Sequence, residues 1–368
     1  MNKIRIAYIV KNLRINGIST AVLNYSKNMN KEKYDITIFA SQPIDEKNRN
    51  MCKENMISLV EIPKKKSLLK YILCLNKYLD KDKFDIVHIH GNSATICLEL
   101  IIAKIKKIKV LATHSHNTSC SHMMIHKVFT PLLNRLSNLK LSCGQDAGKW
   151  MYKNDDFTVI PNGFVVDEYR FDNTGRKSIR EKLNIDDGIV IGHVGRFTEQ
   201  KNHEFIIDTF EKIVESGKKF YLLLVGNGPN YSKIKERVGM SKYKDRVIFY
   251  GETDNVRELY DAMDLFILPS KHEGLVIVLL EAQAKGLKCF VSSNVSKEGI
   301  FNLNETDILD LSLGSGKWAG EIVNSKVNSI EYREEYIKNH HRDLAKYNIY
   351  DNVKFLDEIY SNALGNRK

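Results

Sequence analysis

The sequence predicts an α/β protein that contains two doubly wound parallel sheets. Short apolar runs alternate with longer stretches typical of helices along the 368 residues. Many of the runs are continuously apolar, as expected for parallel strands that helices cover on both faces. Because the chain is also longer than a typical single domain, we expect two such sheets in succession.

The apolar runs form two sets of six, separated by a polar, turn-rich segment at about residues 163–187. We therefore expect one domain over residues 1–165 and a second over residues 166–344, followed by a helical C-terminal stretch. The first set comprises Ile4–Val10, Asp35–Ala40, Asp85–His90, Lys109–Thr113, Leu139–Cys143 and Phe157–Ile160. The second set comprises Gly188–Gly195, Lys219–Gly226, Arg246–Gly251, Asp264–Pro269, Lys288–Ser292 and Asp307–Leu311.

Composition favours a soluble cytoplasmic protein. Hydrophobic residues make up 43% of the chain and charged residues 27%. No run approaches the roughly 18 to 20 apolar residues that span a bilayer, and the start lacks the features of a signal peptide. The six cysteines have neither metal-ligand nor redox spacing, which favours free thiols in a reducing compartment.

The net charge of +11 belongs to the N-terminal half. Up to Gly163 there are 26 Lys and Arg against 13 Asp and Glu, whereas the remainder has 30 against 32. The densest clusters are Lys64–Lys66 and the four lysines between residues 104 and 109. This surplus serves either solubility or attraction to an anionic surface, such as membrane lipid or a phosphorylated acceptor. Nucleic acid is disfavoured because no binding motif or interleaved aromatic residue accompanies the clusters.

A first candidate site segment follows the strand that begins the second half. Gly195 allows a ligand to approach the backbone closely. Arg196 offers a planar fork of donors and Lys201 a point charge, so together they suit a diphosphate. The alternative for these cations is a surface salt bridge.

A second candidate segment runs from Pro269 to Gly286. The pattern predicts a helix from near Gly274 to Gly286, whose first N–H groups favour phosphate oxygens. Glu273 would lie at the N-terminal end of this helix, and Glu281 would lie about 10 Å further along it. A buried carboxylate requires a partner, so Glu281 indicates either a bound ribose or a pairing with Arg or Lys.

Four histidines cluster near two strand ends of the first half. His114 and His116 end one run, and His88 and His90 end the preceding one. This grouping permits a metal site, but no cysteine or carboxylate completes it, so we favour an imidazole that hydrogen-bonds a bound ligand. His88 also fits a buried structural role. The Asp-x-Asp spacing at residues 80–82 is interpreted as a solvated loop.

Two glycine segments resemble nucleotide-binding loops only in part. Gly17 lies between the first strand and the first helix, where it would allow a phosphate to approach. The segment 226–229 is predicted to form a turn. Neither completes the G-x-G-x-x-G pattern, so dinucleotide binding is not supported.

These segments together resemble the retaining glycosyltransferases of GT-B architecture, the glycosyl transferases group 1. That family includes bacterial transferases for capsule, exopolysaccharide and lipopolysaccharide. The resemblance implies two Rossmann-like domains that face each other across a cleft. It rests on Val159–Gly163, Gly195-Arg196, Lys201-Asn202, Val225–Pro229 and the E-x7-E pair Glu273 and Glu281.

The resemblance implies a role for each candidate residue. Glu273 would contact the donor sugar and Glu281 the ribose, while Arg196 and Lys201 would hold the diphosphate. The implied catalytic set is His116, Glu273, Arg196 and Lys201. The implied donor-binding set is Gly17, His114, Gly195, Gly274, Leu275, Leu279 and Glu281. His116 is favoured over His114 as the histidine that faces the sugar, although the match there is ambiguous by two residues.

The resemblance also implies an activity without a metal or other cofactor. A hexose would pass from an NDP-sugar, UDP rather than GDP, to a saccharide linked to polyprenyl diphosphate. The N-terminal domain, joined by the last helix at about 345–368, would bind this acceptor at the inner face of an anionic membrane. The alternatives are a sugar-nucleotide epimerase of the same architecture and a non-catalytic partner subunit. The intact set of charged residues argues against the latter.

Overall fold

The chain divides into two compact units in a computed structural model. The first unit ends at Phe164 and resumes at Lys346, and the second spans Val165–Ala345. The structure describes residues 3–14, 16–64, 66–120, 122–153, 156–253 and 255–365. Lys65 of the first lysine cluster and residues 366–368 of the C-terminal stretch lie outside these ranges.

The first unit contains one parallel sheet of seven strands. Its strands are β1 (Ile4–Leu13), β2 (Tyr34–Ile44), β3 (Ser58–Ile62), β4 (Ile86–Gly91), β5 (Val110–Ser115), β6 (Leu139–Ser142) and β7 (Thr158–Val159). Their order across the sheet is β3-β2-β1-β4-β5-β6-β7. The strand order therefore reverses between β1 and β4, which marks the topological switch point of a doubly wound fold.

The second unit repeats this arrangement with six parallel strands. They are β8 (Ile189–Val194), β9 (Phe220–Val225), β10 (Val247–Gly251), β11 (Leu265–Leu268), β12 (Lys288–Ser292) and β13 (Thr306–Leu309). Their order is β10-β9-β8-β11-β12-β13, so the switch point lies between β8 and β11. The prediction of two doubly wound parallel sheets is confirmed.

Helices connect successive strands and pack against the sheets. Those of the first unit are α1 (Gly17–Asn28), α2 (Glu46–Glu54), α3 (Leu68–Tyr78), α4 (Cys97–Ile105), α5 (Met123–Leu136), α6 (Gln145–Tyr152) and α15 (Ile349–Gly365). Those of the second unit are α7 (Asn173–Lys182), α8 (His203–Val214), α9 (Tyr231–Gly239), α10 (Val256–Ala262), α11 (Ile277–Ala284), α12 (Gly314–Asn324), α13 (Ile330–Asn339) and α14 (His341–Ala345). None of the helices within the described ranges has the length and apolarity needed to cross a bilayer.

Three elements differ from the sequence prediction. The edge strand β3 was not predicted, because the five residues of Ser58–Ile62 include a charged Glu61 and only Ile62 is fully buried. The polar segment before β8 contains α7 as well as turns. The C-terminal helical stretch is broken into α13, α14 and α15.

Helix α7 forms despite its polar sequence because its arginines bind a buried carboxylate. Asp172 caps the helix by accepting a hydrogen bond from the Thr174 amide. Arg176 and Arg180, one turn apart, each form an ion pair with Asp264, at 2.5 and 2.6 Å. Such a helix has little apolar periodicity, so sequence patterns do not indicate it.

The C-terminal helix α15 belongs to the first unit. Tyr360 on this helix is fully buried, and its hydroxyl lies 2.5 Å from Nδ1 of His88 on β4. Asn352 donates a hydrogen bond to the carbonyl of Pro161 at 3.1 Å. His88 therefore has the buried structural role considered from the sequence.

A buried ion pair joins α10 to the end of α11. The Lys285 ammonium lies 2.7 Å from both carboxylate oxygens of Asp261, and each side chain is 3% exposed. The ammonium also donates to the Arg170 carbonyl, and Asp261 accepts from the Asp172 amide. Because both charges are fully hydrogen-bonded, removal of either one leaves the other buried without its partner.

We predict that Lys285→Met lowers the free energy of unfolding of the second unit by about 3–5 kcal/mol. The measurement is urea unfolding followed by fluorescence of Trp318, which is buried in that unit, in a Trp150→Phe background that removes the only other tryptophan. Lys338→Met is the control, since this lysine is 73% exposed and should change stability by less than about 0.5 kcal/mol. Equal losses of unfolding free energy in the two variants would show that the Lys285–Asp261 ion pair does not stabilise the second unit.

Candidate active site

The predicted site residues lie around the switch point of each sheet. In the second unit, Gly195 directly follows β8, and the segment that contains Glu273 follows β11. In the first unit, Gly17 follows β1, while the histidines end the adjacent β4 and β5. Ligands of doubly wound folds bind at the carboxyl ends of the strands beside this point, so each unit presents its candidates at the expected edge.

Two predicted catalytic residues form an ion pair in the second unit. The Lys201 ammonium lies 2.8 Å from Oε1 of Glu273, and their side chains are only 15% and 13% exposed. The salt bridge considered for Lys201 thus exists, but its partner is another site residue. Each group keeps free hydrogen-bonding capacity, because the ammonium has three donors and the carboxylate several lone pairs.

Hydrogen bonds tie the two loops that carry this ion pair. The Lys271 amide donates to the Gln200 carbonyl at 2.8 Å, and the Gln200 side chain donates to the His272 carbonyl at 2.9 Å. Asn202, in the left-handed conformation, donates from its side chain to the Pro269 carbonyl at 3.2 Å. The loops after β8 and β11 are therefore one connected structure, which fixes Lys201 relative to Glu273.

Arg196 lies on the same loop but is exposed. Within the part of the chain that the structure describes, its guanidinium forms no ion pair or hydrogen bond, so its five donors are available to a ligand. The neighbouring Gly195 packs against the turn after β9. There Gly226 has φ of +132°, and a Cβ on it would lie 2.2 Å from the Gly195 carbonyl oxygen. Only glycine at position 226 permits this approach, which supports the loop that carries Arg196.

Glu281 is held by two tyrosines and not by the Arg or Lys considered from the sequence. Its carboxylate accepts hydrogen bonds from the hydroxyls of Tyr169 at 2.5 Å and Tyr260 at 2.9 Å. Burial raises the pKa of Glu281, and the two tyrosine hydroxyls oppose that rise. The carboxylate is partly buried and held at both oxygens, which leaves other lone pairs for a ligand hydroxyl.

The helix after β11 begins later than predicted. It starts at Ile277 rather than near Gly274, so Glu273 is not part of it. Glu273 instead forms a bridge with Val295, and its carbonyl accepts from the Ser296 amide at 3.1 Å. Gly274 and Leu275 therefore lie in the loop, which frees their backbone from helical hydrogen bonding, whereas Leu279 is a buried residue of α11.

The four histidines form a buried stack in the first unit. Ring centroids are 4.2 Å apart for His88 and His90 and 4.4 Å apart for His114 and His116. Nδ1 of His90 lies 2.9 Å from Nε2 of His116, so one ring donates and the other accepts. Burial lowers the pKa of all four, well below the ordinary value for three of them and to about 4 for His116. All four imidazoles are therefore neutral at neutral pH.

The geometry of this stack fits neutral rings better than a metal centre. Nitrogens of His88, His90 and His114 lie within 4.8 Å of one another. A metal ion must lie close to the plane of each imidazole that binds it. The rings of His88 and His90 are stacked with 22° between their planes, so no nearby point lies in both. A tetrahedral zinc site would also need nitrogens about 3.3 Å apart, given Zn–N of about 2.0 Å.

Gly17 is the first residue of α1 and is exposed. Asn16 caps this helix by accepting from the Ser19 amide at 3.1 Å. A Cβ at Gly17 would meet no atom within 4 Å. Packing within the unit therefore does not require glycine, and the space at this helix start is open. The Asp80–Asp82 segment lies in the turn before β4, at the opposite edge of the sheet.

Family models match both units. The model for glycosyl transferases group 1 matches residues 175–309, and the model for glycosyltransferase family 4 matches residues 15–168. This chain is a group 1 glycosyltransferase. The group 1 model covers Arg196, Lys201, Glu273 and Glu281, and the family 4 model covers Gly17 and the histidine stack.

Curated relatives and solved structures align with this transferase along most of its length. It is 28% identical to the putative glycosyltransferase EpsF of Bacillus subtilis over 97% of the chain and 96% of EpsF. It is 24% identical to the Escherichia coli UDP-Gal:alpha-D-GlcNAc-diphosphoundecaprenol alpha-1,3-galactosyltransferase over 83% of each. Anabaena Alr3699/HepE, solved with UDP and glucose, superimposes with a TM-score of 0.81 at 16% identity over 97% and 99% of the chains. The lipopolysaccharide glycosyltransferase WaaG gives 0.71 at 14% identity over 97% and 99%. These structures confirm the GT-B fold.

Sequence reasoning missed three residues of the transferase's candidate site. Tyr169 and Tyr260 hold Glu281 but come from distant segments, so no local motif links them. His193 on β8 is buried and binds the Ile267 carbonyl at 2.8 Å through Nδ1. Its Nε2 would lie 3.0 Å from a Cβ at Gly195. The signal for His193 is its position on the central strand β8, two residues before Gly195.

The histidine stack predicts a loss of stability in mild acid. The imidazoles have folded pKa values below the unfolded value of about 6.5, so the unfolded chain binds more protons as the pH falls. The first unit should therefore lose stability from about pH 6.5 downward, by about 1.4 kcal/mol per pH unit for each imidazole that stays neutral. His116→Gln should reduce this pH dependence by about 1.4 kcal/mol per pH unit between pH 6.5 and about pH 4, because one titrating imidazole is lost.

The measurement is amide hydrogen exchange of peptides from β4 and β5, corrected for intrinsic rates, at several pH values. His122→Gln is the matched control, since this histidine is exposed in the same unit. An unchanged slope in His116→Gln would show that His116 protonates without cost in the folded chain.

Proposed function

We propose that this transferase moves a hexose from a UDP-sugar to a lipid-linked saccharide, with retention of the anomeric configuration, in bacterial surface polysaccharide synthesis. The observation that carries this proposal is the connected pair of loops after β8 and β11. They present an exposed Arg196 and the Lys201–Glu273 ion pair at the ligand-binding edge of one sheet. Cations at that edge suit a departing nucleoside diphosphate.

Names of relatives support the donor and acceptor classes. The Escherichia coli relative uses UDP-galactose and an acceptor on diphosphoundecaprenol, and HepE was solved with UDP and glucose. We assign UDP and a polyprenyl-diphosphate-linked saccharide to this transferase on that support. The first unit would bind the acceptor from the cytoplasmic side of the membrane.

The charged residues would divide the donor between them. Arg196 and Lys201 would bind the diphosphate and stabilise the negative charge that develops as the bond to the sugar breaks. Two cations supply the neutralisation that a divalent metal provides elsewhere, so we propose that no metal is needed. Glu273 would accept hydrogen bonds from sugar hydroxyls and Glu281 from the ribose.

Backbone and imidazole groups would complete donor binding. Gly17, Gly195 and the loop residues Gly274 and Leu275 would allow close approach of phosphate and sugar. Leu279, which is fully buried in α11, would support that helix beneath the ribose site. A neutral imidazole of His116, or of His114, would hydrogen-bond the donor sugar. We propose that residues 166–344 bind the donor and that residues 1–165 with the C-terminal helix bind the acceptor.

Retention follows from attack on the face that the diphosphate leaves. The acceptor oxygen bonds to the anomeric carbon while the bond from that carbon to the diphosphate breaks. The proton of the acceptor hydroxyl passes to a phosphate oxygen of the departing UDP. All atoms and charges balance without an enzyme nucleophile.

Thermal melting against UDP- and GDP-sugars tests donor binding, with free UDP and GDP as references. A donor at a hundredfold excess over its Kd should stabilise the chain by about 2.7 kcal/mol. We predict that UDP-sugars raise the melting temperature. Arg196→Ala should lose most of this rise, because the guanidinium would contact the diphosphate. Lys182→Ala, an exposed lysine on α7, is the matched control.

A shift with GDP-sugars alone would refute the UDP assignment. An unchanged UDP shift in Arg196→Ala would remove Arg196 from the diphosphate site. No shift with any nucleotide would favour a non-catalytic partner subunit. Release of an epimerised sugar without an acceptor would favour the epimerase.

Substitution of the two glutamates should change the affinities for free UDP and for the UDP-sugar differently. Glu281→Gln should weaken free UDP and the UDP-sugar alike, by about tenfold, because each carries the ribose. Glu273→Gln should weaken the UDP-sugar relative to free UDP, since only the sugar would contact Glu273 and any change at its ion-pair partner Lys201 affects both ligands alike. Isothermal titration with each ligand measures both effects, and Glu258→Gln, an exposed residue of α10, is the control.

A conservative change in the support of Glu281 adds a second readout. Tyr260→Phe removes one hydroxyl from the carboxylate and should raise Kd for UDP by a few fold without changing kcat at saturation. Equal behaviour of the two glutamate variants with both ligands would contradict the division of roles.

A further inference from the structure

The first unit exposes large apolar side chains on one helical layer. Leu69 and Leu73 of α3 are 71% and 58% exposed, and Met124 and Val128 of α5 are 74% and 69% exposed. Ile105 at the end of α4 is 69% exposed. We call these five residues, together with the exposed lysines of the same segments (Lys66, Lys70, Lys77, Lys104, Lys107 and Lys127), the α3–α5 surface.

Helix α3 carries apolar residues on both its buried side and its exposed side. Its inner face buries Tyr71 and Leu75 in the core of the first unit. The Tyr71 hydroxyl also donates to Oε1 of Glu99 on α4 at 2.6 Å, which fixes the rotation of α3 about its axis. With that rotation fixed, Leu69 and Leu73, one turn apart, point away from the core.

Helix α5 has the same arrangement. His126, Thr130 and Leu133 form its buried face. Met124 and Val128, again one turn apart, lie on the opposite face and are exposed. The core therefore already has its apolar layer, and these outer residues contribute nothing to it.

The three helices form one layer over the sheet. α4 contacts both α3 and α5, and residues of all three enter the same core cluster. Their outer residues accordingly lie on one side of the unit. Several large apolar side chains exposed together on a single layer indicate an interaction surface rather than chance exposure.

The charge of this helical layer indicates which kind of partner it would bind. No Asp or Glu occurs at residues 62–79 or 100–145, the segments that contain α3 and α5. Exposed lysines accompany the apolar residues instead. They are Lys66, Lys70, Lys77, Lys104, Lys107 and Lys127. Apolar side chains among lysines without carboxylates complement an anionic lipid surface.

We propose that the α3–α5 surface docks on an anionic bilayer, with its lysines at the headgroups and its apolar residues in the interface. A second copy of the chain is a poorer occupant, since it would bring two lysine-rich surfaces together without a carboxylate between them. Insertion distinguishes this proposal from attraction by the lysines alone, because apolar burial resists salt.

The proposal rests on the membrane-linked acceptor proposed above and names the surface that meets the membrane. Docking through this layer would hold the first unit at the lipid where a polyprenyl-linked acceptor resides. The donor site belongs to the second unit, so donor binding should not depend on these side chains.

Vesicle flotation of the full chain tests the proposal. The probes are vesicles of phosphatidylcholine alone and of phosphatidylcholine with 30% phosphatidylglycerol. We expect flotation with the anionic vesicles, and about tenfold weaker partition in Leu69→Ser/Leu73→Ser and in Met124→Ser/Val128→Ser. Lys70→Gln/Lys127→Gln should weaken partition at low salt by about fivefold or more.

Exposed apolar residues of the other unit provide the matched control. Met240 and Leu303 are 80% and 67% exposed, so Met240→Ser/Leu303→Ser removes similar side chains elsewhere. This control should float like the wild type. The melting shift with UDP-sugar, measured on every variant, reports folding and donor binding independently of lipid.

Each contrary result has a distinct meaning. Equal flotation of the wild type and the two serine variants would overturn insertion, as would complete loss of wild-type flotation in 0.5 M salt. Binding to native membranes but not to protein-free vesicles would replace lipid with a membrane protein, and a dimer that only the serine variants dissociate would replace it with a second copy. Flotation without any nucleotide shift would refute the transferase proposal but retain the surface.

Discussion

The parallel pairing of every strand is the constraint on which the rest of the structure depends. Parallel strands place all their carboxyl ends at one edge of a sheet, and the reversal of strand order beside β1 and β8 opens a gap there between diverging loops. Loops that are distant in sequence thereby become neighbours, as for Lys201 and Glu273. The candidate site residues lie at two such edges because the same strand order occurs twice.

The two edges differ in charge. The edge of the second unit carries an exposed Arg196 and an ion pair, whereas the edge of the first carries four imidazoles that burial keeps neutral. A neutral imidazole can hydrogen-bond a hydroxyl without adding positive charge. The two edges therefore differ in the chemistry that each can offer a ligand: charged donors and acceptors in the second unit, and uncharged hydrogen-bonding rings in the first.

The sequence was sufficient for the sheets but not for the partners of the site residues. Continuous apolar runs predicted twelve strands, since burial on both faces leaves a plain signal, and missed only the short edge strand β3. The start of α11 was misplaced because Glu273 bridges to Val295, a contact between distant residues. The tyrosines that hold Glu281 were missed for the same reason. Local patterns report burial, whereas hydrogen-bond partners depend on the completed fold.

The surplus charge of the N-terminal half shows how the fold changes the meaning of a sequence feature. In the sequence, lysine clusters fit solubility as well as attraction to an anion. The structure adds that Leu73 and Val128 point outward on the same helical layer as the lysines, while Tyr71 and Glu99 fix that orientation. Solubility explains lysines but not exposed leucine and valine beside them, because exposed apolar area favours association. The combination therefore favours a surface that both attracts and inserts.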